Sequence, residues 1–243
     1  MSAVWISGSV ATGDFVPRVS DIDLLAVVDG DLTTARRKLR RLHRSWDRRL
    51  VAGPLRGTWL GCVYVSADAL PGFDAGPVPL ASAEANSVRH LTWTHRKLIC
   101  RRLSLMMLAE LPAHGRAVVG PAPSTVFAAP SVDDVRRAAL AELTGFWAWA
   151  VSRPWWWLRA DHIDLATTSA ARLHAALDRG ELLTKSAALN AASDDVVPAQ
   201  LREFCVRRRT QLHRRHEAAA RHARIGRATV LRLVAKAQAQ STV

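Results

Sequence analysis

The sequence predicts an α+β protein, a small mixed β-sheet domain over residues 1–80 followed by an all-helical bundle over residues 81–243. Three observations predict it. Short runs at Ala3–Ser7, Ile22–Val28 and Thr58–Val65 are rich in β-branched and aromatic residues, and the first two end in turn residues. Leu70–Pro79 holds three Pro and two Gly and reads as a loop, which sets a boundary near Leu80. From Ala83 onward the apolar residues fall at helical spacing.

The elements follow in order. Ala3–Ser7 is a strand entering a tight turn at Gly8-Ser9. Ile22–Val28 is a continuous apolar run closed by Asp29-Gly30, the pattern of a buried strand. Thr33–Leu50 places Leu39, Leu42, Trp46 and Leu50 along one side with Arg between them, an amphipathic helix behind a capping region at Asp31–Thr34. Thr58–Val65 is the third strand. Ala83–Leu111 reads as one long helix ended by Pro112 and Gly115, and Val118–Val119 as a short β piece. Ser131 opens the next helix with Asp133 and Asp134 in its first turn, where carboxylates favour the exposed N–H groups. Helices are expected at Trp155–Leu177, Lys185–Ala192 and Pro198–Lys236.

Composition narrows the function classes. Three scattered cysteines, Cys62, Cys100 and Cys205, have no metal-ligand spacing and fit a reducing compartment better than a disulfide framework. The first residues do not read as a signal peptide. The longest apolar stretch, Phe146–Leu158, is broken by Arg153 and Pro154 and falls short of the roughly 18 residues a membrane span needs. A cytoplasmic protein with no membrane segment is the expectation. Lys plus Arg total 34 against 21 Asp plus Glu, a net charge of +13, and Leu201–Val243 alone holds ten Arg and one Lys against two Glu. Such a surplus suits a polyanion, either a nucleotide or RNA along the basic last helix. Solvated Arg-rich helix faces account for it equally well.

The chemistry concentrates in Gly8-Ser9-Val10-Ala11-Thr12-Gly13-Asp14-Phe15 and Ser20-Asp21-Ile22-Asp23-Leu24-Leu25. Extended chain alternates its side chains with period two, so Asp21 and Asp23 point the same way, about 7 Å apart. Two like-charged carboxylates at the mouth of an apolar strand are costly unless a cation sits between them. A hard divalent metal such as Mg²⁺ takes oxygen ligands and brings substrate phosphates with it. The Gly8-Ser9 turn allows close backbone approach to those phosphates, and Ser9 adds a hydroxyl donor.

These residues resemble the signature of the DNA polymerase beta-like nucleotidyltransferase superfamily, and more narrowly the aminoglycoside adenylyltransferase group, in the pattern Gly-Ser-x-Ala-x-Gly then Ser-Asp-Ile-Asp-Leu-Leu. Two further stretches carry the resemblance: His114–Pro121, and Ala171-Arg172-Leu173 followed by Gly180-Glu181-Leu182-Leu183-Thr184-Lys185. The resemblance implies Asp21 and Asp23 as catalytic metal ligands. It implies Gly8, Ser9 and Ser20 at the triphosphate of ATP, with Lys185 reaching the phosphates from the helical domain. Arg172 would be a structural or pocket-wall residue. The implied reaction transfers AMP from Mg-ATP to a hydroxyl of a small-molecule, aminoglycoside-like acceptor at an interdomain site. The alternatives are a nucleotidyltransferase acting on RNA such as tRNA, and a nucleotide-binding module without turnover.

Three departures from the family pattern stand out. The family carries a third carboxylate on the strand after the Arg-rich helix, as general base. The matching position here is Gly61 or Arg56, and the nearest acids are Asp68, Asp74 and Glu84. The family also has a helix before its first strand, where this chain has four residues before Trp5; either that helix is absent and one sheet face is open, with a homodimer one way to cover it, or the native N-terminus lies further upstream. Finally, aminoglycosides are polycations, and this chain is basic. Asp161 and Asp164 beside Trp157 are the acidic, aromatic cluster that could hold such an acceptor through charge and face stacking. Core packing explains the bunched Trp147, Trp149, Trp155, Trp156 and Trp157 as readily.

Overall fold

The computed structural model describes residues 2–30, 32–52, 58–70, 73, 76–77, 79, 89–94, 97–102, 104–210 and 220–241. The chain divides into two compact units, Met1–Pro130 and Ser131–Val243. The division therefore falls well past Leu80, because the sheet keeps recruiting chain after that loop.

The first unit is built on a six-stranded sheet in the order β5-β4-β3-β2-β1-β6. Its strands are β1 (Ala3–Ser7), β2 (Ile22–Val28), β3 (Leu60–Ser66), β4 (Arg89–Thr94), β5 (Lys97–Arg102) and β6 (Arg116–Val119). All neighbours pair antiparallel except β2 with β3, which is parallel. A parallel pair needs a crossover, and α2 (Leu32–Ala52) supplies it. The expected long helix over Ala83–Leu111 is corrected here. Within that range Arg89–Thr94 and Lys97–Arg102 are strands, and helix α3 spans Leu105–His114. Thr92, Trp93, Thr94 and Ile99 suit a pleated surface, and pairing with β3 decides the matter. Pro112 lies inside α3 instead of ending it, and Gly115 caps the helix.

Each sheet face has its own cover. Ala3, Trp5 and Ser7 of β1 are buried, and Trp5 Nε1 donates to Pro121 O at 2.8 Å. The Trp5 ring lies against Phe127 and Phe73, with centroids 5.9 and 6.4 Å away. This anchors the short helix α4 (Pro123–Val126) to the sheet's first strand. On the other face Leu39 of α2 packs with Ala26, Cys62, Tyr64 and Leu91. That face keeps an apolar groove of about 300 Å³ lined by Val4, Leu24, Leu60, Leu42 and Trp46 among others, and Leu42 and Trp46 remain exposed.

His43 sits in this layer, its Nε2 at 2.7 Å from Tyr64 Oη and its ring edge-on to Tyr64. Burial lowers the His43 pKa from 6.5 to about 4 and pushes the Cys62 thiol up to about 12. A depressed histidine pKa means the unfolded chain takes up the proton first. The stability contributed by neutral His43 is present above pH 6.5 and is lost as pH falls toward 4. Thermal melts should therefore show Tm falling by several degrees more between pH 6.5 and 4.5 in the wild type than in His43→Gln. Parallel curves would remove His43 as the cause.

The second unit is helical. Helix α5 (Val132–Glu142) begins at a capping box in which Ser131 Oγ accepts from Asp134 N and Asp134 accepts from Ser131 N. A π-helical segment, Leu143–Trp147, and the short α6 (Ala148–Val151) lead to a 3-10 turn at Pro154–Leu158. The helix expected from Trp155 thus starts later, as α7 (Ala160–Arg179), because Pro154 tightens the Trp run into 3-10 geometry. Gly180 ends α7 at φ +70, where a Cβ would meet Val132 Cγ1 at 2.5 Å. Helix α8 (Lys185–Ala191) follows. The helix expected over Pro198–Lys236 is described as two pieces, α9 (Ala199–Thr210) and α10 (Ala220–Gln240). His213 and His216 lie outside the described residues. Among the described residues no helix is long and apolar enough to cross a membrane.

Candidate active site

The site begins where β1 stops. Ser7 ends the strand, and Gly8 turns the chain at φ +61 into α1 (Gly8–Ala11). Ser7 pairs with Asp23 of β2, and Asp23 pairs in turn with Gly61 of β3. Both glycines face the same carboxylate. A Cβ on Gly8 would lie 2.5 Å from Asp23 Oδ2, and a Cβ on Gly61 would lie 3.0 Å from Asp23 Oδ1. Asp23 therefore fills a notch formed by two residues without side chains. Asp21 is exposed and lies one residue before β2; if the alternation of β2 continues through it, it shares the face of Asp23.

Ser9 completes the cradle. Its residue is buried, and its Oγ makes no hydrogen bond among the described residues. A buried hydroxyl without a partner costs about 1–3 kcal/mol, so a ligand oxygen at that point is the natural complement. The donor set thus fits a hard cation carrying phosphates: two carboxylates, a free hydroxyl and a glycine turn with room for close approach. Among the described residues no group of three or more His, Cys, Asp or Glu could hold a metal alone. Two protein carboxylates with substrate phosphates completing the shell is the arrangement Mg²⁺ accepts.

The loop from Thr12 to Ser20 ties the two halves together. Thr12 Oγ1 donates to Gly8 O at 3.2 Å and Ser9 O at 3.3 Å, and Asp14 N donates to Ser9 O at 2.9 Å. Ser20 Oγ accepts from Val16 N at 3.0 Å, and Ser20 N donates to Val16 O at 2.8 Å. Ser20, expected at the triphosphate, is buried and spends its acceptor on shaping the loop. Sequence reasoning missed Arg18, which holds φ +67, a conformation that costs an L residue roughly 1–2 kcal/mol. Pro17 before it was the available signal, because Pro at the second position of a turn leaves the third to take positive φ.

Gly61 is where a third acid would have to stand to face Asp23, and it has no side chain. Asp68 lies beyond Ser66, at the opposite end of β3, and is exposed. Arg56, Asp74 and Glu84 lie outside the described residues.

In the second unit, Arg172 Nε donates to Leu183 O at 2.7 Å and so pins the turn between α7 and α8. Thr184 caps α8 by accepting from Ala187 N. Lys185 follows at the first helical position, half-buried and without an ion pair among the described residues. A cation there opposes the helix dipole, the setting in which an anionic ligand would be welcome.

The expected cluster of Asp161, Asp164 and Trp157 is not assembled as an open pocket in this unit. Arg159 holds Asp161 through two hydrogen bonds at 3.1 and 2.7 Å. Burial raises the Asp161 pKa, and those bonds outweigh it and bring the carboxyl below its ordinary value. Asp164 is buried and paired with Arg209 at 3.4 Å. Trp157 is buried in the core, its Nε1 donating to Ala150 O at 3.1 Å. Trp157 and Ile163 are both buried and lie against α10, where a Cβ on Gly226 would come within 3.4 Å of Trp157 and 3.6 Å of Ile163. The exposed tryptophans of the run are Trp149 and Trp155, and Arg153 already lies over the Trp149 ring at 4.4 Å.

Residues 2–53 match the family model described as Nucleotidyltransferase domain, the stretch that contains Gly8, Ser9, Asp21 and Asp23. Beyond that stretch the likeness is one of fold, and it extends over the whole chain. The chain superposes on the crystal structure of spectinomycin adenyltransferase AAD(9) from Enterococcus faecialis with ATP and spectinomycin, at TM-score 0.69 and 15% identity, covering 98% of this chain and 91% of that one. The resemblance to aminoglycoside adenylyltransferases is thus a likeness of fold. No curated protein matches the chain.

Proposed function

We propose that the protein is a Mg²⁺-dependent nucleotidyltransferase that moves AMP from ATP to a hydroxyl of a small-molecule acceptor. The observation that carries this reading is the Asp23 carboxylate seated between Gly8 and Gly61 beside the unpartnered hydroxyl of Ser9. The structural relative was crystallised with ATP and spectinomycin, which supports a nucleotide donor and an aminoglycoside-like acceptor.

Asp21 and Asp23 would hold the metal, which when bound offsets charge on the triphosphate and the departing pyrophosphate. Ser9 would donate to a phosphate oxygen, and Gly8 would let that phosphate approach the backbone. The acceptor oxygen forms its bond to the α-phosphorus as the bond to pyrophosphate breaks, and pyrophosphate leaves with the electron pair. With glycine at residue 61, the acceptor gives its proton to solvent, without help from that position. General-base help is worth about 10² to 10⁴ in rate, so modest turnover is expected.

That same glycine favours a second reading, a nucleotide-binding module without turnover. Pyrophosphate release with Mg²⁺, ATP and a panel of aminoglycosides and aminocyclitols separates the two. Acceptor-dependent release establishes the transferase. Mg²⁺-dependent ATP binding without release establishes the module. Absence of Mg²⁺-dependent ATP binding sinks both. A tRNA shift on a gel that weakens with salt would redirect the acceptor to RNA, for which the basic C-terminal helix is the support.

A further inference from the structure

The turn entering β2 places an arginine where the backbone asks for glycine. Val19 N donates to Val16 O at 3.1 Å and closes a four-residue turn, Val16-Pro17-Arg18-Val19. Pro17 is at the second position, where its ring fixes a negative φ, and Arg18 is at the third with φ +67. Negative φ followed by positive φ defines a type II turn, whose third position favours Gly or Asn. A strained residue persists where its surroundings or its function require it.

The fold makes little use of the Arg18 side chain. The interactions that hold the turn belong to the backbone and to Ser20: Val19 N and Ser20 N on Val16 O, and Ser20 Oγ on Val16 N. Arg18 N donates to Thr58 Oγ1 at 3.4 Å, again through the main chain. The guanidinium is exposed and has no partner among the described residues.

Its placement is specific. Thr58 lies just before β3, whose Gly61 faces Asp23, and Arg18 lies three residues before Asp21. From Gly8 to Asp23 the chain carries Asp14, Asp21 and Asp23, and Arg18 is the one basic residue in that stretch. A nucleoside triphosphate remains anionic with one divalent ion bound, and two carboxylates at the same site add to that charge. An unpaired guanidinium on the loop that leads into Asp21 answers the excess and matches phosphate oxygens in a bidentate fork.

We propose that Arg18 binds the terminal phosphates of the nucleoside triphosphate and makes the site select triphosphate over monophosphate. The inference rests on the nucleotide reading above and adds a residue to it. Glycine is at ease at φ +67, so Arg18→Gly deletes the guanidinium while relieving the backbone, and its Tm should equal or exceed that of the wild type. ATP and AMP are titrated calorimetrically with Mg²⁺ into wild type, Arg18→Gly and Arg18→Lys. The expected result for Arg18→Gly is an ATP affinity lower by about 10- to 100-fold, the measure of one or two charge-assisted hydrogen bonds, with AMP affinity unchanged. Arg18→Lys should recover part of the loss. Unaltered ATP affinity, or equal losses for ATP and AMP, would overturn the assignment of Arg18 and leave the nucleotide reading standing. A wild type that does not bind ATP with Mg²⁺ would overturn both.

Discussion

Asp23→Ala is expected to abolish Mg²⁺-dependent ATP binding and to lower pyrophosphate release by about 10³-fold or more, since metal-borne charge stabilisation is worth several kcal/mol. The variant should keep its fold. Asp23 lies in β2 between Ser7 and Gly61, and the ladder bonds that place it are main-chain bonds that alanine preserves. The apolar residues after it, Leu25, Ala26 and Val27, are buried independently of the carboxylate. Far-ultraviolet circular dichroism should therefore be unchanged while the calorimetric Mg²⁺-ATP signal disappears. A variant that still binds ATP more tightly with Mg²⁺ than without it would show that the metal sits elsewhere.

The second large effect is expected at Gly8. Gly8→Ala places a methyl 2.5 Å from Asp23 Oδ2 and forces an L residue to φ +61. The backbone cost is roughly 1–2 kcal/mol, seen as a lower Tm. The functional loss should be greater, because the carboxylate must rotate out of its notch. A fall in activity of about 10²-fold or more is expected, in line with the sensitivity of positioned groups to small displacements. Gly61→Ala provides a graded comparison. Its Cβ would lie 3.0 Å from Asp23 Oδ1, and residue 61 is in ordinary strand geometry. It should therefore cost less than Gly8→Ala in both stability and activity. The reverse order would mean that the Gly8 side of the carboxylate is not the side that matters.

Much of this site was legible in the sequence because its logic is local. A strand, a glycine-serine turn and two acids two residues apart lie within Ala3–Val28, and β1 and β2 match the expected ranges. Two facts were hidden because they depend on pairing between distant segments. Gly61 packs against Asp23 only through the β2–β3 register, β4 pairs along the edge that β3 offers, and β5 pairs along β4. Helical periodicity over Ala83–Leu111 could not report that edge. Trp157 and Asp164 were ambiguous for a related reason, since core packing and a sugar pocket call for the same residues. Their composition suited a sugar pocket, but burial of Trp157 and the Asp164–Arg209 pair are properties of three-dimensional packing. In that unit, what the periodic pattern predicted best were capped ends, such as Ser131 with Asp134.

The sheet order bears on how the chain matures. β1 is flanked by β2 and by β6, so Val4 must meet Val119, and Trp5 finds its indole acceptor only at Pro121. Joining ends so far apart in sequence carries a large loop-closure entropy and slows the search for native pairing. During synthesis the first strand, with the glycine-serine bend at its end, waits at an open edge until its last neighbour leaves the ribosome. The glycine-serine bend thus ends a strand whose second neighbour is supplied by a segment far further along the chain.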